Sequence, residues 1–134
     1  MFGYVLQNWT TIRAQTGGTT IIQDEDDWMG FSSFEDIVFW IDMREATVPA
    51  SQTLTLALQS SPSKDEALFQ TMVSAAWTSA SSAGLVTPLP KVIQAQAPAV
   101  PLATWLRWQL SLSAGASPWD ITFRVLLAAN RTRE

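Results

Sequence analysis

Apolar and polar residues alternate with period two over much of this chain. In Pro101–Ser113 (PLATWLRWQLSLS), Leu106, Trp108, Leu110 and Leu112 share one face, while Trp105, Arg107, Gln109 and Ser111 share the other. Successive side chains of a strand point to opposite sides, so the segment predicts a central antiparallel strand. One face is core; the other sets an indole beside a guanidinium where solvent is expected. Ile37–Glu45 repeats the pattern, with Ile37, Phe39, Ile41 and Met43 inward and Val38, Trp40, Asp42 and Arg44 outward. Thr53–Ser61 turns Leu54, Leu56 and Leu58 inward and Thr55, Ala57 and Gln59 outward. Trp119–Ala129 turns Trp119, Ile121, Phe123, Val125 and Leu127 inward and Asp120, Thr122 and Arg124 outward.

Weaker signals fill the gaps. Phe2–Arg13 reads as a strand with a bend near Asn8, and the Gly17-Gly18 turn leads to a short strand over Thr19–Gln23, expected to form a hairpin with the first. Residues 1–23 are thereby expected as an N-terminal arm or hairpin. Ala67–Ala76 mixes helical and strand spacing and is read as a strand from its place in an all-β run. Trp77–Gly84, rich in Ser and Ala, reads as an exposed loop. Lys91–Gln96 lies between prolines and suits a sheet edge, where a missing N–H costs least. The polar tail Asn130–Glu134 is expected to fray. Eight or nine short strands, with turns every 8–15 residues and no long amphipathic helix, predict one all-β domain over residues 1–134: an antiparallel β-sandwich of jelly-roll type.

Composition narrows the chemistry. At 134 residues the chain can bury roughly two thirds of its unfolded surface. Charged residues make up 15%, against about 25% in an average domain, and the net charge is −4. That balance argues against nucleic acid and anionic lipid as partners. The longest apolar run, Ile37–Ile41, is far too short to span a bilayer, and the N-terminus shows no secretion signal. The glycosylation triplets at Asn8 and Asn130 carry little weight without such a signal. There is no cysteine and no histidine, which removes thiolate chemistry and the commonest catalytic base and metal ligand. A serine nucleophile would need Lys64 or Lys91, both in turn-like positions. No catalytic residue, cofactor or metal ligand is therefore assigned, and no enzyme activity is expected. The acidic run Asp24–Asp27 lacks the alternating spacing of a calcium loop and reads as a solvated turn.

The strand ending in a Ser-rich polar turn and restarting on an aromatic (LALQSSPSKDEALF), the later ATWLRWQL and a Trp-led closing strand together resemble a galactose-binding-like jelly roll. The resemblance covers roughly Phe34–Asn130. It implies one of two trades: accessory carbohydrate binding, or the work of the head decoration and cement proteins of tailed phages, which stabilise a capsid lattice, often as trimers. It carries over no individual site residue.

Trp40 with Arg44 and Trp105 with Arg107 are the candidate partner-binding residues, because outward aromatics beside arginines suit a protein interface. The bland reading is that the chain's own loops cover them. The expectation is a non-enzymatic virion protein that binds a capsid-type protein lattice and forms homo-oligomers, trimers included. The alternative is a carbohydrate-binding module that stacks sugars on Trp40 and Trp105.

Overall fold

A computed structural model describes residues 2–16, 20–30, 34–49, 52–78, 91–95, 104–113 and 118–131; within these, the side chains of 2, 14–16, 34–36, 91–95 and 131 are left aside. The strands are β1 (Phe2–Thr16), β2 (Thr20–Ile22), β3 (Met29–Gly30), β4 (Phe34–Thr47), β5 (Thr53–Ser61), β6 (Gln70–Thr78), β7 (Lys91–Ala95), β8 (Trp105–Leu112) and β9 (Pro118–Arg131). Short 3-10 turns occupy Glu25–Asp27 and Glu66–Leu68.

Two antiparallel sheets result, one ordered β1-β9-β4-β7 and the other β2-β8-β5-β6, with β3 continuing the β2 edge of β8. Apart from β2–β3 and the β5–β6 hairpin, successive strands alternate between the sheets in the manner of two interlocked Greek keys, which is the jelly roll. β7, the proline-flanked strand, lies at a sheet edge as its sequence suggests.

The core lies between the sheets and is built by the alternating residues. Ile37, Phe39, Ile41 and Met43 of β4 meet Leu54, Leu56 and Leu58 of β5, Leu106, Trp108 and Leu110 of β8, and Trp119 through Leu127 of β9. Trp108 and Phe123 bridge the sheets edge to face, with ring centroids 5.1 Å apart.

Several expectations need correcting. β2 does not form a hairpin with β1; it pairs with β8 in the opposite sheet, with Ile21 opposite Leu110. Trp77 and Thr78 complete β6 rather than opening a loop, and Trp77 is a core residue. Asn130 and Arg131 complete β9 instead of fraying. Gly17-Gly18, residues 79–90 and the last three residues lie outside the described set.

The bend near Asn8 is two successive bulges in β1. Between the pairs Val5–Leu126, Gln7–Val125 and Thr10–Phe123, β1 twice carries one residue more than β9. The second bulge sets Asn8 and Trp9 together against Arg124, which lies between those pairs on β9.

Candidate functional site

The four sequence-selected residues do not form one site. Trp40 and Arg44 lie on the outer face of the four-stranded sheet, and Trp105 and Arg107 on that of the other sheet. These faces have opposite characters.

On the second face, Arg107 is buried, with 3% of its surface exposed. β2 and β3 pair with β8 on either side of it, and the chain between them, Gln23–Trp28, arches over β8. The Glu66–Leu68 turn arches in from the β5–β6 side. Each turn is capped by its own aspartate: Asp24 accepts from the Asp26 N–H and Asp65 from the Ala67 N–H. They deliver Trp28 and Phe69, whose rings meet edge to face at 4.8 Å. The Arg107 guanidinium lies 4.0 Å from the Phe69 centroid and 5.0 Å from that of Trp28. Its Nε donates to Gln59 Oε1 at 2.8 Å, while Nη1 finds no hydrogen-bond acceptor among the described residues. Burial pushes the guanidinium below its ordinary pKa, and the charge of Glu66 opposes that shift. Trp105, half-buried, carries Lys64 Nζ at 4.7 Å above its ring and packs against Gly30. The chain's own loops therefore cover this face around Arg107, while β6 leaves Ser74, Ala76 and Thr78 exposed along it.

Gln23 anchors the arch. It is 2% exposed; its Nε2 donates to Leu6 O at 2.7 Å and to Asp27 O at 3.2 Å, and its Oε1 accepts from Trp108 N at 3.3 Å. Its backbone N–H donates to Trp108 O, and its carbonyl accepts from Trp28 Nε1 at 2.8 Å. One amide side chain thus joins β1, the arch and β8.

The outer face of the four-stranded sheet is open. Register places Val5, Leu126, Trp40 and Val92 in one row across β1, β9, β4 and β7, and Gly3, Ala128, Val38 and Gln94 in the next row of the same face. Val5 is 50% exposed, Trp9 41% and Trp40 38%. Farther along, Asp42 of β4 sits opposite Arg124 of β9 and accepts from Arg124 Nε and Arg44 Nε, each at 3.1 Å. The bulged Trp9 lies against both guanidiniums, 4.7 Å from Arg124 and 5.2 Å from Arg44. Beyond them Arg13 pairs with Glu45, which raises the Arg13 pKa. The face thus grades from an apolar half to a charge-paired half, with indoles at Trp40 and Trp9.

Sequence reasoning missed Trp9, Asp42 and Arg124 as members of this cluster, and Gln23, Gln59, Trp28 and Phe69 as the residues that seal the other face. The Arg124–Asp42 pair had a signal in the two outward alternations of β4 and β9. The position of Trp9 depends on a bulge, of which the sequence shows only a faltering alternation around Asn8.

Among the described residues no group of three or more His, Cys, Asp or Glu is arranged to hold a metal ion, and no helix is long and apolar enough to cross a membrane. Asp24–Asp27 form an exposed capped turn.

No protein-family model and no curated protein sequence matches the chain. Its fold is similar to that of VP2 of infectious bursal disease virus, solved as a subviral particle, with a TM-score of 0.55 and 10% identity over 97% of this chain. The chain spans about a third (32%) of that VP2 chain. The Eiger TNF of S. frugiperda aligns over 97% of this chain and 92% of its own, with a TM-score of 0.51 and 9% identity. The K1 cleaved adhesin domain of Lys-gingipain from Porphyromonas gingivalis aligns over 96% and 98%, with a TM-score of 0.51 and 14% identity. At such identities the likeness is one of fold. The chain is an all-β jelly-roll sandwich similar in fold to these proteins, with one outer face covered around Arg107 and the other carrying exposed Val5, Trp9 and Trp40.

Proposed function

We propose that the protein is a non-enzymatic structural component of a virion. It docks through the outer face of its four-stranded sheet onto a protein lattice, such as a phage capsid that it decorates or cements, and associates with its own copies, trimers included. The observation that carries this reading is the continuous apolar row of Val5, Leu126 and Trp40, bordered by Trp9, Arg44, Arg124 and Asp42. Exposed indoles beside guanidiniums already held in place match the composition of interface hot spots. Pairing with Asp42 and contact with Trp9 reduce the side-chain freedom that Arg44 and Arg124 would lose on binding. The fold shared with VP2 is consistent with the same trade.

The docking surface proposed here leaves out Trp105 and Arg107, which lie on the other sheet, Arg107 against the rings of Trp28 and Phe69 and Trp105 beneath Lys64. Trp40 and Trp105 lie on different sheets, so a carbohydrate-binding reading would have to use them as separate stacking surfaces.

Light scattering across a concentration series, with co-sedimentation on capsids, tests the proposal. An oligomer or capsid-bound fraction that Trp40→Asp abolishes is the expected result. A strict monomer that binds no assembly overturns it.

A further inference from the structure

Arg107 is only 3% exposed, and its guanidinium is incompletely satisfied. Nε donates to Gln59 Oε1, but the buried Nη1 has no acceptor among the described residues. The rings of Phe69 and Trp28 lie against the guanidinium, and a ring face favours the cation without supplying a lone pair. Enclosing a cation with an unmet donor is costly. Glu66 lies near enough for its charge to favour the guanidinium, yet no hydrogen bond joins the two among the described residues. The group that would complete Arg107 is an anion bringing an oxygen to Nη1, and a planar carboxylate matches a guanidinium best.

The two covers over Arg107 are held unequally. The arch is fixed from beneath by Gln23, whose side chain binds Leu6 O, Asp27 O and the Trp108 N–H and whose carbonyl accepts from the Trp28 indole. Residues 62–69 are tied mainly to themselves. Ser61 and Ser63 bond to each other, and Asp65 accepts from the Ala67 N–H. The Leu68 and Phe69 N–H groups donate to Asp65 O at 2.9 Å and Glu66 O at 3.4 Å. The link to the arch is Lys64 Nζ, 3.4 Å from Glu25 O at an exposed position. Phe69 packs this turn down, while its neighbour Leu68 stays 46% exposed. Lifting the turn therefore breaks little beyond the Phe69 and Lys64 contacts, and it uncovers Nη1 beside the Trp28 ring.

We propose that residues 62–69 form a lid, and that Arg107 beneath it takes a peptide carboxylate carried next to an apolar side chain. The carboxylate meets Nη1, and the apolar side chain takes the place of Phe69 against Trp28. An uncharged ligand would leave the donor unmet, and a bare anion would leave the ring uncovered. Chain ends and acidic side chains both supply such a group. The site lies on the sheet opposite the docking row and does not depend on the docking proposal.

NMR of the full chain, following the Arg107 Nε–H and Trp28 Nε1–H signals, tests it. N-acetyl-leucine stands for a chain end and N-acetyl-glutamyl-leucinamide for an acidic side chain, with N-acetyl-leucinamide and acetate as controls. At least one of the two acids should shift both signals saturably, and each control should bind about tenfold more weakly or worse. Glu66→Gln removes a competing charge and Lys64→Ala frees the lid, so each should tighten binding by about twofold or more. For Lys64→Ala the sign is decisive, because attraction between charges alone would weaken binding. Arg107→Met, read at Trp28, should abolish it. Glu66→Gln and Lys64→Ala lie at exposed positions and should keep the wild-type unfolding midpoint, so they carry the test even where the Met variant loses its fold. No shift with either acid, N-acetyl-leucinamide binding as tightly as the acids, or weaker binding in Lys64→Ala overturns the proposal.

Discussion

Gln59 and Arg107 face each other across β5 and β8, with the amide oxygen accepting from the guanidinium Nε at 2.8 Å beneath the rings of Phe69 and Trp28. This pair turns the outer face of one sheet into a second small core. The guanidinium fills the space between the rings, and burial penalises its charge.

Packing and charge at Arg107 therefore separate by substitution. Arg107→Ala removes the filler and should cost about 2–4 kcal/mol of unfolding free energy. Arg107→Met keeps most of the stem and discards a buried charge, so its cost should stay below about 1.5 kcal/mol. Urea denaturation distinguishes the two. A Met variant as unstable as the Ala variant would mean that the charge itself holds the turns down.

Gln23→Leu preserves volume but strands Leu6 O and Trp108 N without their side-chain partner. A loss of about 2–3 kcal/mol is expected, since unsatisfied buried backbone groups are costly. Faster hydrogen exchange at the Trp108 amide than at that of Leu110 in the variant would locate the damage.

At Asp42 the two arginines should contribute unequally. The Arg124 side chain is 34% exposed and that of Arg44 66% exposed, so water screens the second pair more. Double-mutant cycles should give a coupling of about 1 kcal/mol or less for Asp42–Arg124 and a smaller one for Asp42–Arg44, both shrinking with salt.

Trp40→Asp places a charge in the middle of the open apolar row. It should change the unfolding free energy by less than about 0.5 kcal/mol, as expected at an exposed position, while reducing the solution mass to that of a monomer. Sedimentation velocity on the variant and the wild type reads this directly.

Much of the fold was legible in the chain. The alternations of β4, β5, β8 and β9 assigned their inward residues, because a buried face demands apolar groups at every second position. Pairing partners were not legible: Thr20–Ile22 looks like a strand in any sheet, and proximity in sequence suggested β1 when the partner is β8. Nor was the burial of Arg107 and Gln59, because alternation reports which face a residue occupies and not what lies over that face. The covers, Trp28 and Phe69, come from turns about 80 and 40 residues earlier in the chain. Trp40 and Arg44 could be read as outward, while their companion Trp9 reaches them through a bulge whose trace in sequence is a faltering alternation around Asn8.

The contrast between the two outer faces gives the molecule a front and a back. One side, closed over Arg107, offers a neighbour capped turns and carboxylates; the other offers exposed indole and aliphatic surface that grades into paired charge. A body built this way has a preferred way up wherever it is laid down. Any layer it formed would inherit that orientation, with one texture turned toward its support and the other toward the surroundings.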